Sequence, residues 1–310
     1  MSDETTRHPH NLLLPEGIRR RYDPLMLQAR RIRSGSMKGE RRSIKRGTSI
    51  EFADYRNYTP GDDLRKLDWN VYARLEKPYI KLLEDEEDLA VHLLVDVSAS
   101  MDWPTESDDL REASHNKLQF AQRLLASLAY IALKTGDRLM ISAMGDSKPP
   151  AYGPARGRAQ IVPMLQYAHQ LTALGTTDLN QSLRQYALRE RRAGLLIILT
   201  DLFSPTGYSD GLNQLLGKGH EIVLIHLLSP DEILPPLAGD LSLIDSETGT
   251  AQDVTVDANM RAIYQQRLTQ WLDGIRDDCA RKGIHYLMVE TDIPFEKVIL
   301  FELRKLGVIR

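Results

Sequence analysis

The stretch Leu89-Ala90-Val91-His92-Leu93-Leu94-Val95, running into Asp96-Val97-Ser98-Ala99-Ser100, decides the fold of this chain. Its first seven residues are almost all apolar, so the strand they form has no polar face. That is the mark of a strand covered on both sides. Directly after it come a carboxylate and two hydroxyls at alternate positions. If that loop stays extended, the three side chains project to one side and can converge.

Working outward, the same rhythm repeats. A helical stretch over about 116–134 places Leu118, Ala121, Leu125, Leu128 and Ala132 on one face and stops at Gly136. Strands are expected over 138–143, 195–199, 221–228 and 284–289. Helices are expected over 159–171 and 179–191, before Gly217-Lys218-Gly219, over 258–282, and around Phe295, Val298, Ile299 and Leu303. A hairpin within about 240–256 interrupts the alternation, its arms over 241–244 and 252–256 and its turn near Glu247-Thr248-Gly249. Strands alternating with helices predict an α/β fold: a mainly parallel sheet with helices on both faces.

Upstream of residue 88 the chain changes character. Arg19, Arg20, Arg21, Arg30, Arg31, Arg33, Lys38, Arg41, Arg42, Lys45 and Arg46 face few acids. Asp23 as a cap and Pro24 in the first turn predict a short helix over 23–33, and 35–47 reads as a loop. A turn at Pro60-Gly61-Asp62-Asp63 and a strand-like stretch over 79–83 follow. Five acids at 84–88 read as a solvated connector. The expected organisation is a basic N-terminal extension over 1–88 and a domain over 89–310.

Bulk properties narrow the function. The chain has 310 residues, 42% hydrophobic and 27% charged, enough to bury a sizeable core. A net charge of −3 predicts no whole-protein attraction to nucleic acid or anionic lipid. Cys279 is the single cysteine, so no internal disulfide forms, which favours a reducing compartment. The N-terminus lacks the apolar core of a secretory signal, and no run reaches the ~18 apolar residues of a membrane span. A soluble, cytoplasmic protein is expected.

Ligands of open parallel sheets sit beyond the carboxyl ends of the strands. Three such positions carry short oxygen-bearing residues: Asp96-x-Ser98-x-Ser100, Gly175-Thr176-Thr177-Asp178, and Thr200-Asp201. Carboxylates and hydroxyls are hard ligands that suit Mg2+ or Mn2+, with Ca2+ also admitted, and suit zinc or copper poorly.

These residues resemble the metal-ion-dependent adhesion site of von Willebrand factor type A domains. The resemblance implies a von Willebrand factor A-like fold, with the ion held by the hydroxyls of Ser98, Ser100 and Thr177 and, directly or through water, by Asp96 and Asp201. It further implies that an Asp or Glu of a partner protein completes the coordination. Gly175-Thr176-Thr177 stands where Gly-Gly-Thr is commoner, so Thr176 could share the role. Asp201-Leu202 stands where Asp-Gly is usual.

Upstream, Arg46-Gly47-Thr48-Ser49-Ile50-Glu51-Phe52-Ala53-Asp54-Tyr55-Arg56-Asn57-Tyr58 leads into Pro60-Gly61-Asp62-Asp63-Leu64-Arg65, then Leu67-Asp68-Trp69 and Ala73-Arg74. This segment is similar to the signature of the bacterial MoxR-associated family known as domain of unknown function 58. That resemblance implies a MoxR-type AAA+ ATPase as partner and an assembly or maturation role. Arg56, Tyr58, Asp62, Asp63, Arg65, Asp68, Trp69 and Arg74 are expected to brace this segment, with a second partner surface as the alternative.

Charge counting favours adhesion over catalysis. Hydroxyl ligands add no charge, so two carboxylates at most neutralise a divalent ion, which then seeks a further anionic oxygen. No G-x-S-x-G elbow or H-E-x-x-H helix occurs, and the glycines over 211–219 miss the phosphate-loop spacing. A metal-dependent phosphohydrolase is the enzymatic alternative, but Ser98 stands where a second acid would be wanted. Nucleic-acid binding by the basic arm is the other alternative, weakened by the scarcity of interleaved aromatics. The expectation is a non-enzymatic interaction module with no catalytic residue.

Overall fold

The structure is a computed structural model describing residues 13–29, 50–59, 67–85, 89–105, 115–146, 148–237, 239–244 and 250–310. In chain order the strands are β1 (Ile50–Asn57), β2 (Tyr79–Asp85), β3 (Ala90–Asp96), β4 (Arg138–Met144), β5 (Tyr152–Ala155), β6 (Leu195–Thr200), β7 (Glu221–Leu228), β8 (Gly239–Ile244), β9 (Ala251–Val256) and β10 (His285–Glu290). The helices are α1 (Glu16–Tyr22), α2 (Trp69–Leu75), α3 (Lys117–Thr135), α4 (Ile161–His169), α5 (Leu179–Arg189), α6 (Ser209–Gly217), α7 (Pro230–Ile233) and α8 (Ala258–Lys282). A last helical run over 295–305 contains a π-helical turn at Val298–Glu302.

The chain divides into two compact units, Met1–Met37 with Leu89–Arg310, and Lys38–Asp88. The residues before 89 are thus shared between both units, where the sequence suggested one extension.

The larger unit is a six-stranded sheet in the order β10-β7-β6-β3-β4-β5, parallel except for β5, which runs antiparallel on β4. The chain leaves β3 for β4 on one side and returns to β6 on the other. The crevice beyond β3 and β6 is therefore the topological switch point, where open α/β sheets bind ligands. β3, β6 and β7 are buried along their whole length, as their largely apolar runs predict.

Each sheet face has its own core. Val91, Leu93, Val95, Ile197 and Ile225 pack in one cluster with α3, α4 and the last helical run. Leu94, Leu196, Ile198 and Leu224 pack in the other with Leu183 of α5, Leu212 of α6 and Ile275 of α8. Full burial of such a side chain contributes about 1.5–3 kcal/mol, so these two layers dominate the energetics.

Helix boundaries follow local chemistry. The Asn116 side chain accepts from Gln119 N at the start of α3, and Gly136 at φ 86° ends it. Asp178 and Asp257 cap α5 and α8 in the same way. Ser229 and Glu232 form a reciprocal capping box around α7.

The N-terminal helix corrects the sequence reading. Helix α1 ends at Tyr22, so Asp23 closes a helix instead of opening one, and Pro24 follows that end. Leu25, Leu27 and Ala29 are buried with exposed Met26 between them, a period of two. This segment runs antiparallel to the residues 308–310, with Met26 N donating to Arg310 O and Gln28 N to Val308 O. Burial on a neighbouring segment overrode the capping signal. Positions 30–33, the loop over 35–47 and the turn at 60–63 lie outside the described residues.

In the smaller unit β1 pairs antiparallel with β2, with a register shift between Phe52 and Asp54. Buried Asp68 caps α2, accepting from Asn70 N and Val71 N. These bonds are local to the helix start and join none of the other residues expected to brace the segment. Trp69 is instead exposed, its ring edge-on to Tyr72. The predicted hairpin is β8 paired with β9, its turn again outside the described residues. Among the described residues, no helix is long and apolar enough to cross a membrane.

Candidate functional site

The adjacent ends of β3 and β6 bring Asp96 next to Thr200-Asp201, as the register of the two strands requires. Ser98 is still extended, at φ −62° and ψ 159°, but Ala99–Met101 then turns as a 3-10 helix. The alternation expected of the loop therefore holds as far as Ser98. The turn carries Ser100 back, so the Ser98 and Ser100 hydroxyls meet at 2.9 Å.

Asp96 is the buried centre of the cluster. Its Oδ1 accepts from Ser98 N at 3.0 Å and from the Thr177 hydroxyl at 2.9 Å. Its Oδ2 accepts from the Thr200 hydroxyl at 2.7 Å. Burial first, and then the Asp201 charge, push its carboxyl up from 3.8 to about 6, although the Thr200 and Ser98 hydrogen bonds pull it back. The electrostatic cost is excess negative charge in a dry place.

The loop before α5 presents its two threonines differently. Thr177 is buried on Asp96, whereas the Thr176 hydroxyl turns outward and donates to Asp146 Oδ2 at 2.7 Å. Gly145 approaches this loop closely: a Cβ there would lie 3.3 Å from the Thr177 hydroxyl oxygen and at a φ of +148°. Only a residue without a side chain fits that approach comfortably.

Asp201 is fully buried and has a partner that the sequence reading missed. Lys117, the first residue of α3, donates from Nζ to Asp201 Oδ2 at 2.7 Å and to Glu232 Oε1 at 2.5 Å. Burial works against its charge, but Asp201 and Glu232 outweigh burial and hold the ammonium's pKa above its ordinary value. Burial also raises Glu232, with Lys117 opposing. Phe203 N donates to Asp201 Oδ1 at 3.1 Å, and the Phe203 ring centroid lies 5.0 Å from Nζ. Leu202 takes a left-handed φ of 61° and is held there by donating its N–H to the Thr200 hydroxyl.

One wall is aromatic. The Phe203 ring stacks on Trp271 at 5.5 Å, and His226 meets Trp271 edge-on. His226 Nε2 lies 3.0 Å from Asp201 O, and a carbonyl only accepts, so Nε2 carries the proton and Nδ1 accepts from the Tyr286 hydroxyl. Burial holds this imidazole down at about 4, hence neutral.

All five residues singled out from sequence, Asp96, Ser98, Ser100, Thr177 and Asp201, lie at this switch point. Thr200 was quoted with Asp201 but not among the ion's ligands, and Lys117, Glu232 and Phe203 were not singled out as functional. Glu232 had a local signal in Ser229-x-x-Glu232, but only of a helix start. Lys117 had none. Among the described residues, no three His, Cys, Asp or Glu side chains gather as a metal cluster, so an ion here would rest on two carboxylates and the hydroxyls.

Comparison with known proteins places the sequence in a family. The profile described as "Protein of unknown function DUF58" matches residues 54–271. The chain belongs to that family. Uncharacterised proteins of Mycobacterium tuberculosis and Mycobacterium bovis are each 26% identical over 230 residues, covering 73% of this chain and 70% of theirs. A Mycobacterium avium protein is 32% identical over 103 residues, 33% of this chain. Among solved structures, the conserved hypothetical protein BatB of Bacteroides thetaiotaomicron aligns at 14% identity and a TM-score of 0.40, over 71% of this chain and 98% of its own. An aerotolerance-related membrane protein of Bacteroides fragilis aligns at 14% and 0.41, over 70% and 99%. Likeness at that level carries no argument about what this chain does.

Proposed function

We propose that the chain is a non-enzymatic interaction module of the von Willebrand factor A type, using a divalent ion at the β3–β6 switch point to grip an acidic side chain of a protein partner. The partner proposed is a MoxR-type AAA+ ATPase or a client of it, in assembly or maturation. The reading is supported above all by one observation. Asp96, Asp201 and Glu232 set three carboxylates against one ammonium, a formal surplus of two negative charges, with both aspartates buried and the Glu232 side chain 15% exposed. A divalent cation would cancel that surplus.

The residues fit such an ion. Asp96, Ser98, Ser100, Thr177 and Asp201 would hold it, and all of their side chains offer hard oxygen. The ion would supply a positive centre for an incoming carboxylate. The chain's own residues do the rest: Thr177 and Thr200 orient Asp96 by hydrogen bonds to its two oxygens, and Lys117 orients Asp201. Exposed Trp103 and Phe203 flank this end of the sheet with apolar surface for a docked protein.

The test has two stages. Mg2+ and Mn2+ are titrated calorimetrically into the wild type, Ser98→Ala and Thr177→Val, each checked for folding. Weak binding in the wild type that disappears in both folded variants is expected; equal binding in all three would sink the ion site. A purified MoxR-type ATPase from the same genome is then assayed with and without chelator. Association that survives chelation and Ser98→Ala would refute the ion-dependent grip.

A further inference from the structure

Lys117 is out of place by every local rule. Its side chain has no exposure, it stands at the N-terminus of a helix where a positive charge opposes the dipole, and an apolar residue would serve the core there. Yet it takes an oxygen of Asp201, the carboxylate at the heart of the ion site. Its second partner is held independently of it: Glu232 Oε2 accepts from Ser229 N at 2.8 Å, and the Ser229 hydroxyl accepts from Glu232 N at 3.3 Å. Glu232 is thus an anchored berth into which the ammonium can lean without leaving its cavity.

We infer that Lys117 is a tethered cation that competes with the divalent ion for Asp201, and that Glu232 is the berth it keeps when the ion is bound. This inference rests on the ion-site reading above. Two cations cannot share a buried carboxylate without mutual repulsion, which in a protein interior is strong at this range. The ammonium therefore lowers the affinity of the site, so that an ion alone binds weakly and an ion with a partner carboxylate binds well. An ordinary structural lysine would act in the opposite sense, because removing it would disorder Asp201 and weaken binding.

The experiment is Mn2+ titration by calorimetry and by electron paramagnetic resonance of free Mn2+, on folded wild type, Lys117→Met/Glu232→Gln and Lys117→Gln. The double change alters no net charge and leaves Asp201 as the one carboxylate without its cation, so it reports the freed Asp201 oxygen. We expect about tenfold or greater tightening in the double variant, and tightening in Lys117→Gln, which keeps a hydrogen-bond donor and removes the charge. If the double variant does not fold, Lys117→Gln decides by the same criterion. Unchanged or weaker affinity beside a wild type that binds overturns the competition and leaves the ion site standing. Mn2+ bound by none of the proteins overturns both. Binding by the variants alone upholds the competition in its strongest form, with the ammonium excluding the ion.

Discussion

Strand β3 carries two polar side chains on one face, four residues apart, and the fold treats them in opposite ways. At one end His92 is buried and neutral: its Nδ1 lies 2.8 Å from the Tyr186 hydroxyl, and its ring stands edge-on to His220 at 5.0 Å. Burial first, then the neighbouring His220, hold its pKa down at about 4. Leu94 separates it from Asp96, where charges are kept, with a carboxylate beside a carboxylate and an ammonium beyond. The His92 end buries polarity by discarding charge, as structure alone would favour. The Asp96 end tolerates a costly charge surplus. The difference separates a packing solution from a site.

The sharpest way to break this comparison is Lys117→Met alone. It strands Asp201 and Glu232 without their cation, so a loss of about 3–5 kcal/mol in urea unfolding is expected. A change below 1 kcal/mol would mean the charges are not buried together as described.

Acid probes the other end. The folded pKa of His92, about 4, lies below the ordinary 6.5, so its neutral form contributes stability that is present above 6.5. That contribution is lost as the pH falls through 4. His92→Gln should flatten the decline of stability between these limits, on the order of 3 kcal/mol at the acid end. An unaltered pH profile would show that His92 is not held neutral.

Tyr186→Phe removes the hydroxyl beside His92 Nδ1 and should cost about 1–2 kcal/mol at neutral pH. The smallest expected effect on stability is that of Ser98→Ala, about 1 kcal/mol, since Asp96 keeps its donors from Ser98 N, Thr177 and Thr200 when that hydroxyl is removed. A site residue whose loss abolishes ion binding yet barely moves stability would complete the contrast with Tyr186. A large destabilisation would place Ser98 among the packing residues instead.

The sequence by itself determined the architecture of the larger unit. The runs at β3, β6 and β7 are largely apolar on both faces, as central strands require, and Asn116 and Asp178 by their side chains and Gly136 and Gly283 by their backbone N–H groups mark helix ends through hydrogen bonds confined to one turn. Asp96, Ser98, Ser100 and Asp201 were legible from strand ends that converge in such a sheet, and Thr177 from the Gly175-Thr176-Thr177 loop between two helices. What was not legible depended on distant partners. The short β5, an antiparallel edge strand on β4, has too few buried residues to leave a pattern. The segment after α1 pairs with residues 308–310, which no local signal announces. Only the tertiary structure chose Thr177 over Thr176 for Asp96. It alone brought Lys117 onto Asp201 and Glu232, residues 84 and 115 positions away. Local hydrogen bonding and burial periodicity are written along a chain; the charge balance of a buried site arises only when separate segments meet.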